Sequence, residues 1–191
     1  MLAAGDDISH YNRGRALRDL GRHAESLQSF ERALALNPRD AEFHLSRGSA
    51  LIALEQREAA LEAFTQALAL QPNYAEAHLN SGIALCAMGN WLAAINHFDK
   101  ALELRPGYIE AHHQRCVANL ELGHLGLALQ DSECAIRIDA NSAIGHNNRG
   151  VVLERYGRCK EALIEYTHAL NANPDFPQAH FNRGTSLKLL N

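Results

Sequence analysis

Aromatic residues are scarce in this chain, at 6% of 191 positions with a single tryptophan. Its core must therefore come mainly from alanine and leucine, both strong helix formers. Cysteine is present but never in close pairs: Cys86, Cys116, Cys134 and Cys159 stand far apart. Zinc ribbons and redox CxxC sites need short spacings, so the pattern excludes them. It fits the reduced thiols of a cytoplasmic protein. Positive charge is not in surplus, since the formal net charge is −4. Nucleic-acid binders usually concentrate basic residues on one face, so no nucleic-acid partner is expected. The opening MLAAGDDISH has no basic stretch and no long apolar run, which argues against a secretory signal. No segment approaches the ~18 consecutive apolar residues of a membrane span, so no membrane insertion is expected. The chain also lacks a glycine-rich phosphate loop, a metal-spaced cluster and a nucleophile–base motif. No cofactor, metal or enzymatic activity is expected.

What the sequence does have is a period. His10, His44, His78, His112, His146 and His180 are evenly spaced 34 residues apart. The same step links Gly14, Gly48, Gly82, Gly150 and Gly184, and it links Pro38, Pro72 and Pro106, with Pro174 two steps on. Ala75–Tyr108 is one full copy. Within each copy, helical periodicity runs for about four turns, breaks at a turn, resumes, and ends near the proline, which cannot continue a helix interior. The units are predicted at 7–40, 41–74, 75–108, 109–142 and 143–176, after a lead-in at 1–6. A partial sixth covers 177–191 and begins with Pro177, a good first helical residue.

Small and large residues recur at fixed offsets. The glycines sit in the first helices, where each costs about 1 kcal/mol against alanine, so close helix approach is the expected reason. Ala33, Ala67, Ala101, Ala135 and Ala169 share one slot in the second helices, and Ala60, Ala94, Ala128 and Ala162 another. Phe30, Phe64, Phe98 and Tyr166 supply the bulk there, as Leu17, Leu51, Leu85, Leu153 and Leu187 do in the first helices. Large against small at constant spacing is how two helices interdigitate. The fourth unit departs most: Cys116 replaces the glycine, Asn119 the leucine, Ser132 the aromatic and Ala140 the proline. Asn119 at a core slot needs a partner, and this unit is expected to be the least protected in hydrogen exchange. In the second unit Glu55 replaces the turn glycine.

These slots resemble the tetratricopeptide repeat signature, a 34-residue helix–turn–helix pattern. The resemblance covers residues 7–191, with histidine where the family usually has tryptophan or another bulky residue. It implies an all-α, right-handed superhelical solenoid of antiparallel helix pairs, five full repeats and one further helix. It also implies that the first helices line a concave groove.

On that geometry, the groove in the first three units would be lined by Tyr11 and Arg15, then Leu45, Ser49 and Ile52, then Leu79, Ile83 and Cys86. Farther along come His113, Val117 and Leu120, then Asn147 and Val151, with Glu154, Arg155, Phe181 and Lys188 toward the end. Glu42, Glu76 and Glu110 give an acidic edge. An apolar strip not needed for the core is a binding-site candidate, and its expected occupant is a peptide or helix of a partner protein with spaced apolar anchors. The competing reading is that these residues simply pad a narrow groove. At the border, Asn12, Asn80, Asn148 and Asn182 could form an amide ladder, since each side chain both donates and accepts. That arrangement resembles the asparagine ladder of protein O-linked N-acetylglucosamine transferases, although local helix–helix bonds would account for it equally well.

The histidines are expected to pack rather than bind metal, because successive repeats are separated by about 8–10 Å and zinc needs its nitrogens about 2 Å from one ion. Protonating several is expected to loosen the stack near about pH 6. Arg13, Arg47, Arg115, Arg149 and Arg183 are expected to bury their stems and pair with nearby carboxylates. Chaperone-binding members of the family grip a carboxylate with groove lysines, and no groove lysine precedes Lys188. The leading expectation is a protein-interaction scaffold. The alternatives are a targeting domain of a larger enzyme such as an O-linked glycosyltransferase, favoured by the array stopping after one helix, and self-association through that C-terminal helix.

Overall fold

The computed structural model describes residues 6–190 and is all α, with eleven helices among them and no strand. Helices α1 (Asp6–Asp19), α2 (His23–Leu36), α3 (Ala41–Ala53), α4 (Arg57–Leu70), α5 (Ala75–Ala87) and α6 (Trp91–Leu104) form one compact unit. Helices α7 (Ile109–Glu121), α8 (Leu125–Ile138), α9 (Ala143–Arg155), α10 (Cys159–Ala172) and α11 (Pro177–Leu189) form a second. The lead-in expected at 1–6 is one residue too long, because Asp6 already opens α1. With Asp7 it places two carboxylates in the first turn, where they complement the helix dipole. Residues 1–5 lie outside the described residues, as does Asn191.

Each odd-numbered helix packs on the even-numbered one that follows it: α1 on α2, α3 on α4 and α5 on α6 in the first unit, α7 on α8 and α9 on α10 in the second. Each even-numbered helix also meets the next odd one within its unit. The rings of Phe30, Phe64, Phe98 and Tyr166 are buried between the paired helices with the alanines around them.

The recurring glycines explain themselves here. A Cβ on Gly14, Gly48, Gly82 or Gly150 would lie under 3.0 Å from the ring of Phe30, Phe64, Phe98 or Tyr166 respectively. The ring sits directly on the bare backbone of the facing helix. Gly184 in α11 has nothing within 4 Å of the same point.

The fourth pair uses the same contact with the sizes exchanged. Cys116 fills the glycine slot, Ser132 takes the place of the ring, and both are fully buried. The Cys116 thiol reaches the Ala128 carbonyl at 3.2 Å, and Ser132 bonds the Leu129 carbonyl at 2.7 Å. Asn119 finds its partner in Asp131, at 3.4 Å from Nδ2 to Oδ2.

Turns within the pairs need a left-handed residue. Gly21, Gly89, Gly123 and Gly157 supply it with φ between 73° and 76°. In the second pair Glu55 adopts φ 60° and is the one non-glycine residue with positive φ among the described residues. Caps are selective. Asp40 accepts from the amides of Glu42 and Phe43 to start α3, and Ser142 accepts from Gly145 to start α9.

Two substitutions test this framework in urea unfolding followed by circular dichroism. Gly82→Ala drives a methyl into the Phe98 ring and should cost about 1–3 kcal/mol, whereas Gly184→Ala should stabilise by up to ~1 kcal/mol through helix propensity. Equal effects at the two positions would remove the ring-seat explanation. Glu55→Gly should raise stability by about 1 kcal/mol by relieving a left-handed side-chain residue.

Candidate functional site

The faces that could take a ligand are formed by neighbouring first helices. In the first unit α1 touches α3 and α3 touches α5; in the second α7 touches α9 and α9 touches α11.

In the first unit the aromatic end is closed by its own contacts. Tyr11 is buried, stacks on Phe43 with ring centroids 4.7 Å apart, and donates its hydroxyl to Glu42. Arg15 is exposed and lies over the Tyr11 ring at 5.8 Å. Leu45 and Ile52 are half-buried against the Leu51–Phe64 core cluster. Ser49 spends its hydroxyl on the Leu45 carbonyl at 3.0 Å. Leu79 is buried, so of the sequence-derived apolar strip on α5 only Ile83 and Cys86 remain partly accessible. Burial pushes the Cys86 thiol up to about 11 and the Cys116 thiol up to about 12. A neutral thiol is a poor nucleophile near pH 7, so neither position offers thiolate chemistry.

In the second unit the side chains divide differently. His113 is buried, and its Nε2 lies 3.1 Å from the Ser142 hydroxyl that caps α9, so this residue holds a turn. The facing His113 ring and the Gln114 amide hold the Glu110 carboxyl below its usual range. Leu120 is buried and Val151 half-buried, both at the Cys116–Ala128–Val152 cluster, while Val117 is exposed. Farther along, Asn147, Pro177, Gln178, Phe181 and Asn182 line an open recess of about 360 Å³. Asn182 Nδ2 donates to Asn147 Oδ1 at 3.0 Å, and Phe181 is 74% exposed. Gln178 and Pro177 carry no site signal in the sequence, where they read only as the start of a helix.

The asparagines do not share one environment. Asn12 is exposed, Asn80 and Asn182 are half-buried, and Asn148 is buried with no partner for its Nδ2. In the second unit the bond that forms joins Asn182 to Asn147, the adjacent position, and not to Asn148.

A family model described as TPR repeat matches residues 14–54, and one described as Tetratricopeptide repeat matches residues 45–109. The chain belongs to the tetratricopeptide repeat family. Among solved structures it is similar to MamA 41-end from Desulfovibrio magneticus RS-1, at 18% identity and TM-score 0.82, covering 91% of this chain and 98% of that one. It is similar to TTC0263, a thermophilic TPR protein of Thermus thermophilus, at 24% identity and TM-score 0.76, covering 95% and 99%. It is also similar to YrrB, described as a TPR protein with an unusual peptide-binding site, at 22% identity and TM-score 0.75, covering 94% and 92%. At these identities the likeness carries the fold alone. A search of curated protein sequences finds no match.

Histidine in the family's bulky first-helix slot gives this tetratricopeptide protein its own polar network. Nε2 of His44, His78, His112, His146 and His180 each lies 2.8–3.2 Å from the carbonyl oxygen six residues earlier, which belongs to Pro38, Pro72, Pro106, Ala140 and Pro174. A carbonyl only accepts, so Nε2 carries the proton and each ring tethers its helix to the preceding turn.

The second nitrogen meets a different residue in each repeat. His112 Nδ1 lies 2.9 Å from Asp131, and His146 Nδ1 lies 2.8 Å from Glu165. Arg115 binds the same Asp131 at 2.6 Å, and Arg149 binds the same Glu165 at 3.0 Å. Each of these two rings thus spans the preceding turn through Nε2 and a carboxylate of the second helix through Nδ1. In the first unit the equivalent slot holds Ala63, which leaves the Arg47 Nε without a partner, and then His97. His78 Nδ1 and His97 Nδ1 are 3.3 Å apart. Burial, and then the neighbouring His78, lower the His97 pKa. Among the described residues no group of three or more histidine, cysteine or acidic side chains could hold a metal ion.

A base whose folded pKa is depressed contributes stability that is present above its unfolded value near 6.5 and is lost as pH falls below it. The urea midpoint should therefore drop between about pH 7 and pH 5, and His97→Ala, which copies Ala63, should flatten that drop. An unchanged slope in the variant would assign the pH dependence elsewhere.

Proposed function

We propose that this chain is a non-catalytic, cytoplasmic protein-interaction scaffold that binds a peptide or helical segment of a partner protein along its first-helix faces. The observation that carries this reading is the recess between α9 and α11. It combines an exposed aromatic ring, the Asn147–Asn182 amide pair and Gln178, with donors and acceptors at its wall. Concave sites with an apolar floor and a few placed polar groups are where peptides gain both affinity and register. Ile83 and Cys86 offer a smaller, half-buried apolar strip in the first unit. The similarity to YrrB, whose description mentions a peptide-binding site, supports the same class of ligand. Leu45 and Ile52 serve their own core, so the contact residues are Phe181, Gln178, Asn182 and Val117 on the face of the second unit and, separately, Ile83 on the face of the first.

The test is selection of binding peptides from a displayed random library, followed by calorimetry on purified variants. Phe181→Ala should weaken the selected peptides about tenfold or more, as expected for an aromatic anchor. Ile83→Glu should weaken those that contact the first unit. Phe181 is exposed and Ile83 half-buried, whereas Leu79 and Asn147 are buried and their replacement would disturb folding. Peptides that bind both variants as tightly as the parent would move the site off the first-helix faces.

A further inference from the structure

In the third helix pair two histidine nitrogens point at each other. Nδ1 of His78 in α5 lies 3.3 Å from Nδ1 of His97 in α6, and the ring centroids are 5.4 Å apart. His97 stands outside the 34-residue histidine series, so the distance between successive repeats does not separate these two rings. Both are half-buried, and solvent reaches them.

The spacing suits two ligands on one ion. Nitrogens about 2.0–2.1 Å from a tetrahedral metal stand about 3.3–3.4 Å apart, and the centroids of their rings about 5.2 Å apart. The His78 ring is already held as a ligand would be. Its Nε2 donates to the Pro72 carbonyl at 3.1 Å, which leaves a lone pair on Nδ1 and aims it at His97. Metal-binding histidines are commonly oriented by such a bond from the far nitrogen.

The neighbouring charges suit a cation. Arg13, Arg47, Arg115, Arg149 and Arg183 share one slot, and the third repeat alone has serine there, Ser81. Arg115 and Arg149 reach Asp131 and Glu165, the residues equivalent to His97. A guanidinium at position 81 would therefore sit beside the histidine pair and repel a cation. Ser81 is buried and spends its hydroxyl on the Ala77 carbonyl at 2.8 Å. The repeat that gains a second histidine is the one that loses the arginine.

We infer that His78 and His97 form a site for a divalent transition-metal ion of the zinc class, bound through both Nδ1 atoms across the α5–α6 pair. Among the described residues no third histidine, cysteine or acidic side chain joins them, so water completes the shell and the ion exchanges. Imidazole nitrogen favours zinc, copper and nickel over magnesium and calcium. Without the ion, His97 Nδ1 donates to the His78 lone pair. With it, the His97 proton moves to Nε2 and both Nδ1 atoms bind metal. The ion fastens the second helix to the first-helix histidine, as Asp131 and Glu165 do in the α7–α8 and α9–α10 pairs. The inference does not depend on the recess between α9 and α11 binding peptide.

The test titrates Zn²⁺ into the full chain near neutral pH, in a buffer that does not bind metal. Calorimetry gives the affinity, and ¹⁵N resonances of labelled histidine give the ligands. The expected result is saturable binding tighter than about 100 μM, with the Nδ1 resonances of His78 and His97 moving together, and no such change with Mg²⁺. His97→Ala should weaken binding about tenfold or more. Ser81→Arg keeps both ligands and should also weaken it about tenfold or more; the neighbouring repeats accommodate arginine in this slot, and circular dichroism checks the fold. The inference is overturned if Zn²⁺ moves neither resonance or only one, which would leave the pair a histidine–histidine hydrogen bond. It is also overturned if His97→Ala binds as tightly as the parent, which would place the ion on the thiols or other histidines, or if folded Ser81→Arg binds as tightly.

Discussion

A ring resting on bare backbone is the contact on which the rest of this structure depends. Phe30, Phe64, Phe98 and Tyr166 each occupy the space that a Cβ on the facing helix would need. Without that approach the two helices of a pair would stand farther apart, the flanking alanines would lose their contacts, and small voids would open along the pair. The glycine has to be tolerated in mid-helix, at about 1 kcal/mol, because the ring buries far more apolar surface than that penalty offsets.

A second layer of constraint is polar. In α3, α5, α7 and α9 the first-helix histidine fastens its helix to the turn before it by one hydrogen bond, and its other nitrogen faces whatever the second helix provides. Where that is Asp131 or Glu165, a neighbouring arginine joins and the pair becomes an ionic cluster. Asp131 is nearly fully buried and gathers His112, Arg115 and Asn119, so the fourth repeat, which has no ring, is fastened by charge and hydrogen bonds instead. Removing Asp131 would leave several donors unmet, the situation in which a buried ion pair is most costly to break.

Much of this fold was legible in the sequence because it repeats. A glycine, a ring and two alanines recurring at constant offsets specify a helix pair, and the period specifies that pairs stack. The departures were visible too, but their meaning was not. Cys116 and Ser132 read in the sequence as two separate replacements, and in the structure they are one exchange of large for small across a single contact. Asn119 needs a partner, and the repeat spacing does not reveal that Asp131, in the other helix of the pair, meets its Nδ2 while its Oδ1 is left without one. The candidate faces were less legible. A helical wheel places Tyr11, Leu79, His113, Leu120 and Asn147 on the outer arc, but neighbouring helices bury all of them. The half-open residues depend on how adjacent first helices meet, which spacing along one helix does not encode. The recess between α9 and α11 is of this kind: Gln178 and Pro177 acquire a role only beside Asn147.

The exchanged sizes in the fourth pair bear on how the chain finds its own partners. Near-identical repeats face a problem of mistaken identity, since any first helix could in principle accept the wrong second helix during folding. In the second unit this error is penalised in both directions. Pairing α7 with α10 would set the Tyr166 ring against Cys116, where no seat exists, and pairing α9 with α8 would leave the Gly150 seat facing the small Ser132. The irregular repeat thus acts as a keyed joint that accepts one neighbour and rejects its look-alike.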